Sequence, residues 1–247
     1  MTASLVELRA GELEVVGQLI DASNGSLLCR LMSLRQTVER GLPDDEPSPL
    51  VIYKPRAGER PLWDYPDGTL SQREVAAYVV ADSLGWPIVP PTVWREGPVG
   101  PGMVQRWVEV DETVDLVALV QSDHDALRRI AVFDALINNG DRKGGHLLPT
   151  PDGTIWGIDH GVSFAVENKL RTVLWQWRGH RIPEALLHDI ARWLDLMASG
   201  SDLDVLLREL LAADEMAALV SRGRELFTDG LHPQPSPEWP AIPWPPF

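Results

Sequence analysis

Asn138-Asn139-Gly140-Asp141-Arg142-Lys143-Gly144-Gly145-His146-Leu147-Leu148, then a short Pro/Gly turn, then Ile155-Trp156-Gly157-Ile158-Asp159-His160-Gly161, is the stretch whose reading decides this chain. It brings two carboxylates, an ammonium, a guanidinium and two imidazoles into one short span. Transfer of a γ-phosphoryl group needs a carboxylate to position the acceptor hydroxyl and metal ligands to neutralise the triphosphate. Asp141, His146 and Asp159 are candidates for those roles, Asp141 as the catalytic carboxylate and Asp159 and His146 as metal ligands.

The spacing is specific. Asp141 precedes His146 by five residues, the interval that separates Asp from Asn in the kinase catalytic loop H-R-D-x-x-x-x-N. Thirteen residues beyond His146, after the apolar run 155–158 that predicts a strand, Asp159-His160-Gly161 is similar to the metal-binding D-F-G motif with His160 in place of Phe. Taken singly, Asp141 also reads as a turn former after Asn-Gly and Asp159 as a carboxylate ending a strand. Their joint occurrence at this spacing favours catalysis or nucleotide binding.

Composition sets the frame. At 247 residues and 44% hydrophobic content the chain can bury a sizeable core, and two lobes around a cleft are expected. A formal charge of −14 opposes broad association with nucleic acid or an anionic bilayer. No apolar run reaches the ~18 to 20 residues of a membrane-spanning helix, and residues 1–14 lack the charge pattern of a signal peptide. A soluble, cytoplasmic protein with at most peripheral membrane contact is the expectation. The single cysteine, Cys29, excludes an intramolecular disulfide and any Cys cluster for zinc or iron–sulfur binding. Of 22 basic residues only Lys54, Lys143 and Lys169 are lysines, and all three fall in segments with a candidate role. A compact ammonium suits a phosphate where a planar guanidinium fork is not needed.

Along the chain, strands are predicted at 13–20 and 27–32, joined through Asn24-Gly25, a strong hairpin signal. A polar stretch, 39–49, leads to a compact apolar strand at 50–54 ending in Lys54. A Pro/Gly-rich insertion, 55–68, precedes a helix from about Ser71 to Gly85. Glu74 on that helix either pairs with Lys54 or closes a capping box with Ser71. Further strands are expected at 92–95 and 103–108, the second leading to a hinge near Gln105, Trp107 and Val108 whose backbone groups suit an adenine ring. From Ser122 onward the chain reads as helical: Ser122 and Asp125 cap a segment in which Leu127, Ile130, Phe133 and Ile137 recur at helical spacing, and helices follow at about 184–198, 203–211 and 215–227. The expected organisation is an N-terminal β-rich lobe, 1–108, a helical lobe, 109–231, and a Pro/Trp-rich tail, 232–247. In the tail Trp239 and Trp244 either pack back on the domain or leave a polyproline ligand exposed.

With those motifs in hand, the chain resembles the phosphatidylinositol 3- and 4-kinase superfamily, nearest in pattern to type II phosphatidylinositol 4-kinases and bacterial relatives, with HipA-type protein kinases more distant. The resemblance rests on Tyr53-Lys54-Pro55, Glu74 with Ala76-Ala77-Tyr78, Val89-Pro90-Pro91-Thr92, Gln105-Arg106-Trp107-Val108, Asn139-Gly140-Asp141-Arg142 and Ile158-Asp159-His160-Gly161. It implies an α+β, bilobal protein-kinase-like fold: an antiparallel β lobe with one helix, then a mainly helical lobe. It also implies that ATP is bound with magnesium or manganese, that Lys54 contacts the α/β-phosphates with Lys143 and the 105–108 hinge as further nucleotide contacts, that Glu74 orients Lys54, that Asp141 positions or deprotonates the acceptor, and that Asp159 holds metal. No G-x-G-x-x-G motif is present; Gly17 and Gly25 do not make one. His146 is a departure. Imidazole at the Asn position suits manganese or a single-metal site, or else bonds a phosphate or Asp141 and touches no metal.

The acceptor is less defined. Between Asn168 and Pro183 lie Lys169, Arg171, Arg178 and Arg181 with Trp175 and Trp177 and no acid, a local reversal in an acidic chain. This surface either receives an anionic acceptor or anchors the segment in the helical lobe. An inositol lipid or another small hydroxyl compound is the expected acceptor. A HipA-like protein kinase and a nucleotide-binding pseudokinase are the alternatives.

Overall fold

A computed structural model describes residues 3–19, 25–32 and 48–247. It divides into two compact units: Met1–Val75 with Pro90–Val108, and Ala76–Val89 with Glu109–Phe247.

The first unit is built on a five-stranded antiparallel sheet of β1 (Glu12–Gln18), β2 (Leu27–Met32), β3 (Leu50–Pro55), β4 (Thr92–Gly97) and β5 (Gly100–Arg106), in the order β1-β2-β3-β5-β4. Strand alternation decides which side chains enter the core. Along β3 Val51, Tyr53 and Pro55 are buried while Ile52 and Lys54 point to the other face. Val51 and Tyr53 join Leu13, Cys29, Leu31, Val93 and Val104 in one apolar cluster. Burial pushes the Cys29 thiol up to about 11, so it packs as a small apolar side chain. Tyr53 keeps its hydroxyl satisfied by donating to the Gly100 carbonyl at 2.5 Å. Its ring lies where a Cβ on Gly97 or Gly102 would have to go.

Two features of this unit were not expected from sequence. Helix α1 (Leu5–Ala10) precedes the sheet, capped by a reciprocal Ser4–Glu7 box, and Arg95 on β4 donates to the carbonyls of Leu8 and Gly11 at the helix end. The start of α2 (Leu70–Leu84) is capped not by the Ser71–Glu74 box but by Glu59, whose carboxylate accepts from the Leu70 and Ser71 amides at 3.0 and 2.8 Å. The Asn24 turn and most of the 39–49 stretch lie outside the described residues.

The second unit carries α3 (Leu116–Val120), α4 (Asp125–Ile137), a two-stranded ribbon of β6 (Leu147–Pro149) and β7 (Ile155–Gly157), α5 (Glu184–Leu196), α6 (Asp202–Arg208) and α7 (Ala213–Asp229). The cap of α4 is His124, whose Nδ1 accepts from the Ala126 amide; Ser122 instead donates to the Leu119 carbonyl. Gly223 on α7 makes room for Trp193 and Leu194 of α5 and Leu136 of α4, and Trp193 is wholly buried. The end of α2 belongs here: Arg192 donates to the Leu84 carbonyl, Trp86 to Asp189, and Gly157 to the Ile88 carbonyl. The tail 232–247 folds back on this unit through Trp239, whereas Trp244 is 85% exposed. None of the described helices is long and apolar enough to cross a membrane.

His232 begins that tail, buried beside Trp177 at a ring-centroid distance of 6.1 Å. Burial first, then the charges of Arg128 and His180, push its pKa down to about 4 from 6.5. The folded chain holds the imidazole neutral while the unfolded chain takes a proton below ~6.5, so stability falls as pH drops from ~6.5 towards 4. Urea midpoints should show His232→Phe losing roughly 2 kcal/mol less than the parent between pH 7 and 4. Equal losses would mean the site is solvated.

Candidate active site

The 141–146 loop is assembled around a buried ion pair. Asp134 interrupts the apolar face of α4, and the Arg142 guanidinium grips it with two bonds, Nε to Oδ2 and Nη2 to Oδ1, both 3.0 Å; neither side chain is exposed. The same guanidinium donates to the Ile158 carbonyl at 2.8 Å and the His146 carbonyl at 3.4 Å and lies 2.7 Å from His160 Nε2. One side chain therefore ties α4, the 141–146 loop and the Asp159-His160-Gly161 turn together.

The two asparagines complete the frame. Asn139 donates to Asp134 and accepts the Asp141 amide, each at 3.0 Å. Asn138 ends α4 in the left-handed region at φ 54°, a conformation Asn tolerates. Its amide donates to the carbonyls of Ala165 and Glu167 and accepts the Lys169 amide. The segment after Gly161 is thus hooked to the loop, and the Arg142–Thr172 bridge continues the attachment.

What the frame presents is a set of charges. Lys143 Nζ lies 3.1 Å from Asp141 Oδ2, and His146 Nε2 lies 3.3 Å from Asp159 Oδ2. Burial raises the pKa of Asp141 above its ordinary 3.8; Lys143 opposes this, and the negative charge of Asp159 adds to it. Asp159 itself sits at φ 60°, a left-handed conformation that costs a non-glycine residue of order 1 kcal/mol or more and is held by its surroundings. The Lys143 amide makes a long, 3.5 Å bond to His146 Nδ1. The other ring nitrogen, Nε2, is the one that faces Asp159.

In the first unit Lys54 Nζ meets Glu74 Oε1 at 2.5 Å, with Glu74 2% exposed. The pairing alternative for Glu74 is therefore the one present. Gln105 is buried and its amide donates to Thr92 Oγ1 at 2.8 Å, so this side chain braces β4 against β5. Trp107 donates its amide to the Leu50 carbonyl, and Val108 is buried.

The four basic residues after Gly161 do not act alike. Arg171 is near enough for its charge to lower the pKa of Asp141. Lys169 is buried, with its ammonium 5.2 Å over the Trp239 ring. Arg178 and Arg181 are exposed. Both tryptophans anchor the segment, Trp175 by donating to the Ala241 carbonyl and Trp177 to Asp123.

Among the described residues no group of three or more His, Cys, Asp or Glu gathers as a metal cage. The donor set does fit a hard divalent ion that takes one or two carboxylates from protein and the rest from phosphate and water. Asp159 is the candidate carboxylate for it.

Sequence reading missed Asp134, Arg142 and Glu59 as site-building residues. A lone acid amid Ile130, Phe133 and Ile137 was the available signal that a buried cation would meet it. Asp134→Ala should leave Arg142 buried without its carboxylate and cost about 3 to 5 kcal/mol by urea denaturation. A loss below ~1 kcal/mol would show the pair to be idle.

Comparison with known proteins supports the architecture. No family profile matches the chain. The structure of hydra Fam20 with sugar aligns with a TM-score of 0.56 over 92% of this chain and 86% of that one, at 15% identity. The Helicobacter pylori proinflammatory kinase CtkA aligns at 0.52 over 91% and 94%, at 12% identity. The chain has the α+β, two-unit fold of atypical kinases. Its sequence is 42% identical, over 276 aligned positions covering 97% of this chain and 94% of its relative, to protein Rv2133c of Mycobacterium tuberculosis, and the chain belongs to that family.

Proposed function

We propose that this protein is an ATP-dependent phosphotransferase that moves the γ-phosphoryl group to a hydroxyl of a small molecule or an inositol lipid, in the manner of phosphatidylinositol 3-/4-kinase-like enzymes. The observation that carries the proposal is that the buried Asp134–Arg142 frame holds Asp141 and Asp159 together, where burial, and after it the charge of Asp159, raises the proton affinity of Asp141. A carboxylate so tuned suits a group that takes a proton from an attacking hydroxyl.

In this reading the acceptor oxygen loses its proton to Asp141 and bonds to the γ-phosphorus while the bond to ADP breaks with its electrons going to ADP. Lys143 stands beside Asp141 against the incoming negative charge. Lys54, oriented by Glu74, serves the α/β-phosphates, and the backbone at Val108 serves the adenine. Magnesium or manganese, held by Asp159, would neutralise charge developing on the phosphates. His146 acts by orienting the Asp159 carboxylate, its Nε2 lying 3.3 Å from Asp159 Oδ2. Arg171 is the member of the basic segment best placed to favour an anionic acceptor.

ATP with magnesium or manganese at ~100 times its dissociation constant should add ~2.7 kcal/mol to stability. Asn tolerates the left-handed backbone of position 159 as Asp does, so Asp159→Asn isolates the charge and should abolish the shift. Asp141→Asn should keep the shift and lose ~10²- to 10⁴-fold in transfer of labelled phosphate. No shift with either metal in the parent would sink the proposal, and label appearing in protein rather than in lipid or small molecules would move the acceptor to the HipA-like class.

Activity needs Asp141 ionised, so the acid limb of the rate profile should lie above the ordinary carboxylate value of 3.8. Lys143 lowers the Asp141 pKa, and Lys143→Met should move that limb to higher pH. A limb unmoved by Lys143→Met would assign it to another group.

A further inference from the structure

The tail touches the catalytic loop at points the proposed chemistry does not use. Gly144, between Lys143 and His146, donates its amide to the Pro246 carbonyl at 2.8 Å. The Phe247 ring occupies the space a Cβ on Gly144 would need. On the segment after Gly161, the Thr172 amide and Trp175 Nε1 both donate to the Ala241 carbonyl, at 3.0 and 2.8 Å, and Trp239 lies over Lys169. Gly144 and Thr172 are buried, so their amides without these carbonyls would each forfeit a hydrogen bond.

These contacts fall on both sides of Asp141. One is in the turn that carries Lys143 and His146; the others flank Arg171. The Arg142–Thr172 bridge joins the same two pieces from beneath. We propose that residues 239–247 are a positioning strap for the active site, holding the Lys143–His146 turn and the Arg171 segment at the separation that keeps Asp141 between its two cations. For its rate readout this inference rests on the phosphotransferase reading above; for its structural readout it does not.

Two substitutions in the full chain reach the same contact from opposite sides. Phe247→Ala removes the ring, and Gly144→Ala introduces a Cβ that displaces it. Phe247 is half exposed, so its truncation leaves the fold intact. With ATP and manganese, each single variant should lower kcat for γ-phosphate release by at least ~10-fold, the scale set by sub-ångström to ångström misplacement. The double variant should be no worse than the poorer single, and Phe247→Leu should recover most of the rate. A wild-type kcat in either single variant, or additive losses in the double, overturns the strap. Hydrogen exchange decides the case in which the parent binds no ATP and the phosphotransferase reading fails. Gly144 and Thr172 amides protected in the parent and released by Phe247→Ala would uphold the strap, and unprotected amides in the parent would overturn it.

Discussion

The second unit depends on a guanidinium out of water. Arg142 is wholly buried with Asp134, and a charge in that position is tolerated only when its partners are in place. Its remaining donors go to the Ile158 and His146 carbonyls and it contacts His160, so the cost of burial is met only when helix α4, the 141–146 loop and the Asp159 turn are all in position. Replacing such a pair with apolar side chains often costs little stability; what would be lost here is the register between three pieces of chain. The pair is better understood as a device for geometry than for stability.

On that frame, charge is distributed economically. Each lysine has an acidic partner: Lys54 meets Glu74, Lys143 meets Asp141, and Lys169 has Glu167 at 4.0 Å. Where a planar fork is required, as at Asp134, the chain uses arginine. Asp141 and Asp159 then sit in an environment where burial and mutual repulsion raise the proton affinity of Asp141 and Lys143 pulls it back.

The comparisons separate what is shared from what is particular. Hydra Fam20 and Helicobacter pylori CtkA align over most of the chain at 15% and 12% identity, so the shared property is architecture, which many sequences with the right hydrophobic pattern can specify. The Glu59 cap of α2 and the tail contacts to Gly144 and Thr172 both satisfy backbone amides that the elements leave unpaired, one at a helix start and the other beside the 141–146 loop.

Much of this was legible in the residues. An apolar run beside an Asn-Gly signal placed β2 at Leu27–Met32, and helical periodicity placed α4 and α5 within a few residues, because burial on one face imposes a period on a helix. The spacing of Asp141, His146 and Asp159 marked the candidate site for the same local reason. Spacing could not choose between the partners of Glu74, since a capping box and a salt bridge ask for the same residue at the same place; only the approach of β3 to α2 decided it. Nor could it show that Gln105 turns to Thr92 or that His146 faces Asp159. It gave no sign that Phe247, a hundred residues on, would rest against Gly144. Local sequence determined which residues are candidates for chemistry and which elements carry them. The pairing of those charges was decided by tertiary structure, because a buried charge takes whichever partner the fold brings within reach.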